Sequence, residues 1–349
     1  MFATVTHMLP KTSFRRARTL PVHGSVLVRA GQTVQAIDVI AEGVLPGRHL
    51  LIDVRKVLSL RDAAAAHKAL ERKAGEKLQK GDVIAQTGGM FSRVIRAPEA
   101  CEIISIQNGQ VLLGTLGEPV ELKAAFPGRV VEIIPEFGAV IETSGTLVQG
   151  VWGNNLTATS LLEVVAHSPD APLTRADLDI TLRGSIILAG HLSDPEVFDS
   201  AAELPLRGMI LGSMTADLIP AAMKQPYPIA LLEGFGKLPI NTVAYRLLAD
   251  RKKDDVVLNA TWDPLMSQRP DILLPFPVEA ELATDWVEYA PGQTVKVLRP
   301  PYASQVGLLV AIKPGLTSFP GGLRVPAGEV RLETNETVTV PLNNLTILD

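Results

Sequence analysis

Three side chains with complementary chemistry, His191, Ser213 and Glu233, stand at or just after the ends of three short apolar runs. A base, a hydroxyl and a carboxylate are the parts of an activated nucleophile when they converge. No G-x-S-x-G turn surrounds Ser213, however, so the residues do not spell out a catalytic site. The group reads instead as a candidate ligand edge built from His191, Gly212, Ser213, Thr215, Glu233, Gly234 and Gly236. Gly212-Ser213-Met214-Thr215 would present free amides to an anion at a helix start, but it lacks the lysine of a phosphate loop. Glu233-Gly234-Phe235-Gly236-Lys237 has two glycines at the wrong spacing for a dinucleotide fingerprint.

Metal and redox chemistry find little material. The six histidines, at 7, 23, 49, 67, 167 and 191, share no i, i+4 face, so no metal site is read. The one cysteine, Cys101, cannot form an intrachain disulfide or supply an iron–sulfur cluster, and it lies in a strand-like run where an inert buried thiol is expected. No cofactor is assigned, and the chain reads as a binding protein rather than an enzyme.

A second source of chemistry is charge. The net charge of −4 conceals a division at residue 100: sixteen Lys and Arg against eight Asp and Glu before it, seventeen against twenty-nine after it. The first third is therefore basic, and Arg15, Arg16 and Arg18, with Lys73 and Lys77 further on, are candidate contacts for an anionic partner. Lys11 belongs to the same basic segment, whose alternative reading is a frayed, solvated tail.

The elements that must position these residues follow from pattern. Ile186–Gly190, Arg207–Gly212 and Pro228–Gly234 are continuous apolar runs of the kind that parallel strands buried on both faces produce. Candidate helices at 195–204, 216–224 and 241–250 alternate with them, which predicts a small α/β sheet whose strand ends carry the His191, Ser213 and Glu233 turns. Earlier in the chain, the segment 30–41 (AGQTVQAIDVIA) recurs forty-four positions later as 74–85 (AGEKLQKGDVIA), with a looser third copy at 138–148. Each copy predicts strand, tight turn, strand, and the copies are expected to pair with one another. Between the first two, residues 60–74 are rich in helix formers and predict an inserted helix.

The half-motif Gly-x-x-V/L followed by Asp-Val-Ile-Ala, with Ala97-Pro98 and Phe126-Pro127 runs after it, resembles the barrel-sandwich hybrid of biotinyl and lipoyl carrier domains. The same halves occur in RnfC-like and NqrA-like redox subunits. The resemblance covers about 20–152. Carriers place a modified lysine at the hairpin tip, but here residues 87–93 read TGGMFSR, so the resemblance implies the fold without the covalent group. Residues 291–310 resemble a KOW motif, with Gly292 and Gly307 at its turns, and strands at 329–332, 337–341 and 345–348 would complete an SH3-like barrel. That implies a docking surface for RNA or protein.

The expectation is a multi-domain chain of mixed β and α/β class: a lipoyl-like barrel-sandwich hybrid over 1–155, a small parallel α/β domain over 156–280 and a KOW-like SH3 barrel over 281–349. With 46% hydrophobic and 5% aromatic residues, its cores should be aliphatic. No run approaches the ~18 apolar residues of a membrane span, and the first residues do not read as a cleaved signal. A reducing cytoplasm fits. The expected role is a scaffold or adaptor for protein partners; a KOW-type transcription- or RNA-associated factor and a small-ligand or enzymatic α/β domain are the alternatives.

Overall fold

The computed structural model describes residues 2–45, 47–88, 92–115, 117–265, 268–284 and 286–348. Strands dominate, in several sheets, with short helices covering parts of them.

Two twelve-residue strands, Met8–Thr19 and Gly138–Gln149, organise the molecule. They pair antiparallel over almost their whole length, from Thr19 opposite Gly138 to Met8 opposite Val148. The register shifts between Gly145 and Leu147, and a Cβ on Gly145 would lie 2.2 Å from the Leu274 carbonyl oxygen, so only glycine lets the neighbouring strand approach there. Residues 138–148 thus form one continuous strand where the looser third copy predicted strand, turn and strand. Their backbone groups are taken by partners on both sides, which leaves nothing for a turn to satisfy.

On its far side, Gly138–Gln149 pairs first with Gly128–Ile134 and then with Asp271–Pro275. From Asp271–Pro275 the sheet continues through Asp255–Asn259 and Thr157–Val164 to Ile186–Leu192, Gly208–Met214 and Ile229–Phe235, ending at Trp152–Gly153. Trp152 follows Gln149 after only Gly150 and Val151, so the two ends of this run are neighbours in the chain and the sheet curls back on itself.

The three expected α/β strands are parallel in register, with Ile187 opposite Met209 and Met209 opposite Ile229. Their unbroken apolar character has the anticipated cause, because both faces are covered. Ile186, Leu188, Ile210 and Leu232 pack under Ala244 and Leu248 of helix Thr242–Ala249. Ile187, Met209, Leu211 and Leu231 pack under Val197, Phe198 and Ala201 of helix Glu196–Glu203. The third expected helix is a 3₁₀ turn, Ala216–Leu218, running into Ile219–Ala222.

The duplicated segments adopt the same local structure in different places. In the first copy Gln35 N donates to Asp38 Oδ2 (2.7 Å), and in the second Gln79 N donates to Asp82 Oδ2 (2.8 Å). Gly31 and Gly75 both hold left-handed backbone, at φ 86° and 88°. The copies do not pair with each other. Gly31 N donates to Val130 O and Ala124 N to Asp38 O, whereas Gly75 N donates to Ile103 O and Ala97 N to Asp82 O. Each copy is thus completed by its own Ala/Pro half-motif and has its own core, Val34, Ile40, Val130 and Ile141 in one case, Leu78, Ile84, Cys101 and Ile103 in the other. Burial raises the Cys101 thiol pKa, in keeping with an inert thiol.

The inserted helical run is shorter than 60–74. Helix spans Val54–Leu58 and Ala63–Ala69, the second capped by Asp62, whose side chain accepts from Ala65 N at 2.8 Å. It stops because Glu71 N donates to Ile84 O and Arg72 Nε to Val83 O, which ties residues 71–72 to the second copy's strand in spite of their helix propensity. The expected hairpin at 87–93 is closed by Arg93 N donating to Thr87 Oγ1 (2.9 Å); its tip, 89–91, lies outside the described residues.

The last sheet runs Trp286–Glu288, Phe2–Thr6, Leu345–Leu348, Thr294–Val297, Val306–Ile312, Ala327–Leu332, Thr337–Pro341. The strand Phe2–Thr6, sequentially remote, lies inside it and pairs parallel to Leu345–Leu348, Val5 opposite Ile347. The Tyr289 hydroxyl is shared between the Leu342 and Leu345 carbonyl oxygens at 2.8 and 2.7 Å, and burial pushes its pKa up to about 12. Tyr289→Phe leaves two buried carbonyls without that donor and should lower stability to urea by about 1–2 kcal/mol; an unchanged midpoint and slope would contradict this role.

Candidate functional site

The parallel register brings the strand-end residues together: His191 lies opposite Ser213, and Ser213 opposite Gly234. His191 Nδ1 is 3.0 Å from Ser213 Oγ. Ser213 Oγ also donates to Leu238 O (2.7 Å) and accepts from Leu238 N (3.1 Å). A hydroxyl has one proton, and here the Leu238 carbonyl takes it, so His191 must be the donor through Nδ1–H. The imidazole therefore supports the serine oxygen and does not withdraw its proton. Burial, with help from Lys237, lowers the His191 pKa and so favours the neutral ring, whose proton the Ser213 contact places on Nδ1. Gly212 sits where a Cβ would come within 2.5 Å of Ile240 Cγ1, and Gly236 N donates to Met214 O, so the loop 236–240 lies across these strand ends. Thr215 N donates to Leu192 O, while the buried Thr215 Oγ1 has no hydrogen-bond partner among the described residues.

Glu233 serves a different contact. Its Oε1 accepts from Asn241 N (2.9 Å) and Asn241 Nδ2 (2.7 Å), and Asn241 in turn caps helix Thr242–Ala249 by accepting from Ala244 N. Oε2 meets Lys296 Nζ at 2.5 Å, a charge contact and not an aligned hydrogen bond, with both side chains almost wholly buried (0% and 3% exposed). Lys296 lies in strand Thr294–Val297 of the last sheet, and its Nζ also donates to Leu232 O. What this arrangement does chemically is clamp the last sheet onto the α/β strands. Among the described residues no hydrogen bond joins Glu233 to His191 or Ser213.

The basic residues of the first third are ordered, not frayed. Arg15, Arg16 and Arg18 lie on strand Met8–Thr19 and border a cleft of about 810 Å³, where Arg269, Trp262 and Trp286 join them. Phe14, one turn of the pleat earlier, is fully buried and meets Phe126 edge to face at 5.6 Å, so the face that carries Arg16 and Arg18 is anchored in a core. Arg16 lies over the Phe14 ring, 4.9 Å from its centroid, and donates to both oxygens of buried Asp271 at 2.9 and 3.2 Å. Asp271 also accepts from Gln149 Nε2 at 3.0 Å. Arg15 pairs with Glu142 at 2.7 Å. Arg269 donates to Thr6 Oγ1, which ties the cleft to the last sheet.

Arg18 differs from its neighbours. It is half-buried, its Nε reaches only the Lys123 carbonyl oxygen at 3.4 Å, and no carboxylate stands within ion-pair distance of it among the described residues. Burial lowers its pKa, partly offset by the field of Asp271. A guanidinium held out of water without a matching acid favours an incoming anion. Lys73 and Lys77 sit at the second copy's turn and are not part of the cleft. Sequence reasoning missed Trp262, Arg269, Asp271 and Trp286; the one available signal was the alternation of Phe14, Arg16 and Arg18.

A scan against protein-family models finds no match to this chain. No curated protein matches it either. Among the described residues no three His, Cys, Asp or Glu side chains form a cluster able to hold a metal ion, and no helix is long and apolar enough to cross a membrane.

The Glu233–Lys296 contact generates a stability prediction. Lys296→Met strands a buried carboxylate and should cost about 3–5 kcal/mol in urea denaturation. Adding Glu233→Gln removes the charge while keeping an acceptor for Asn241, and should recover most of the loss. A double variant as unstable as the single one would contradict the ion-pair account.

Proposed function

We propose that this chain is an adaptor that docks an acidic protein partner in the arginine-lined cleft and uses the rest of its fold as a platform. One observation carries the reading: among the described residues four arginines and one aspartate border one cleft, and one of those arginines, Arg18, is half-buried with no described acid within ion-pair distance. Exposed Trp286 on the same rim, 60% accessible, adds the aromatic contact that protein interfaces favour.

The remaining units suit a platform. The two copies of the glycine-and-aspartate turn, each with its own half-motif, are read as barrel-sandwich-like bodies without the modified lysine, and the last sheet as a KOW-like SH3 barrel. Glu233 and Lys296 would hold that barrel rigidly to the α/β strands, so the strand ends at His191, Gly212, Ser213, Thr215, Gly234 and Gly236 serve as a joint in this reading. A cytoplasmic setting suits the lone buried thiol.

Fluorescence anisotropy with a labelled Glu-rich peptide, against a neutral peptide of equal length, tests the proposal. The acidic peptide should bind more tightly, weaken with added salt, and lose about tenfold or more in affinity with Arg18→Ala. Equal binding of both peptides, or indifference to Arg18→Ala, would overturn it; tighter binding of a single-stranded oligonucleotide would shift the reading to nucleic acid.

A further inference from the structure

Resting on the cleft reading above, we infer that the acidic segment binds as an added β-strand along the open edge of Met8–Thr19, beside Arg15, Ala17 and Thr19. In an antiparallel pair, alternate residues turn their N–H and C=O groups toward the partner strand and the others turn them away. Leu20 N donates to Phe137 O, across the pairing with Gly138–Gln149, so even-numbered residues of this strand face inward. Ser13 faces outward: its N donates to Glu281 O and its carbonyl accepts from Ala283 N, with Ser13 and Leu282 forming a parallel bridge.

The chain's own residues 281–283 therefore already lie on this edge as a strand would, and Trp286–Glu288 pair instead with Phe2–Thr6. Past Ser13 no strand among the described residues pairs with the outer edge, which leaves the outward groups of Arg15, Ala17 and Thr19 to the cleft. These three residues are the exposed ones, alternating with half-buried Arg16 and Arg18. The Arg15 carbonyl accepts from Arg16 Nη1 at 3.2 Å and keeps a second lone pair.

Strand addition fixes the partner's chemistry as well as its backbone. Side chains two apart on an added strand stand about 6.6–6.8 Å from one another on one face, the spacing of Arg16 and Arg18 on theirs. Asp271 already occupies Arg16, so the decisive position is an Asp or Glu opposite Arg18, with further acids at alternate positions. Main-chain bonds to Arg15, Ala17 and Thr19 supply affinity, and the acid supplies selection.

The probe is an eight-residue peptide alternating Glu and Thr, together with two derivatives N-methylated on one or the other set of alternate amides. Net charge is the same in all three. Strand addition predicts that one methylated derivative loses about tenfold or more in affinity while the other binds like the parent, because only one set faces the edge. Ala17→Pro, which removes an outward N–H and leaves the inward bonds in place, should weaken the parent peptide to a similar degree while the thermal unfolding midpoint stays close to wild type. Equal binding of both derivatives, with Arg18→Ala still abolishing it, would overturn strand addition and leave the cleft reading standing. Failure of the parent peptide to bind at all would overturn both.

Discussion

The pairing of Met8–Thr19 with Gly138–Gln149 is the constraint on which the remaining architecture depends. It joins the start of the chain to its middle across well over a hundred residues, and its loop-closure cost is offset only because the strand bridges several cores at once. Phe14 and Leu147 enter one core, Met8 and Val148 a second, Ala139 and Ile141 a third. The same alternation that buries Phe14 holds Arg16 and Arg18 on the cleft side, so the basic surface is fixed by packing as firmly as by charge. A residue shift in register would send those arginines to the opposite face.

Charge is used in two ways. At Glu233 and Lys296 opposite charges are removed from water together, with Asn241 and the Leu232 carbonyl completing their hydrogen bonds, and the result is a fixed relation between two sheets. At the cleft the balance is uneven: Asp271 matches Arg16 and Glu142 matches Arg15, while among the described residues Arg18 hydrogen-bonds to a carbonyl and to no acid. The first arrangement is closed within the chain. The second leaves Arg18 without a described acid, which is the physical basis of the proposed partner.

The parallel strands and their helices were legible in the sequence because burial on both faces writes continuous apolar runs, and Asn241 marks a helix start by its own chemistry. The duplicated turns were legible too, down to the aspartate that closes each. Their separation was not, since identical halves carry no sign of which partner completes them; that depends on Ala124 and Ala97, which lie far away in one case and near in the other. The strand character of the basic segment was hidden by adjacent Arg15 and Arg16, which break the polar–apolar alternation. Residues 60–74 read as one helix on propensity, and pairing of Glu71 with Ile84 overrode it. His191, Ser213 and Glu233 lie in the last residues of three parallel strands, as the apolar runs implied, but hydrogen-bond direction and the contact with Lys296 have no signature in a linear sequence.

Amide hydrogen exchange of the free protein, resolved residue by residue, addresses the open edge of the arginine strand most directly. Arg16, Arg18 and Leu20 should exchange slowly, because the first two N–H groups face Gly138–Gln149 and that of Leu20 donates to Phe137 O, and Arg15, Ala17 and Thr19 should exchange much faster. Uniform protection along residues 15–20, or slow exchange confined to the odd-numbered ones, would contradict it.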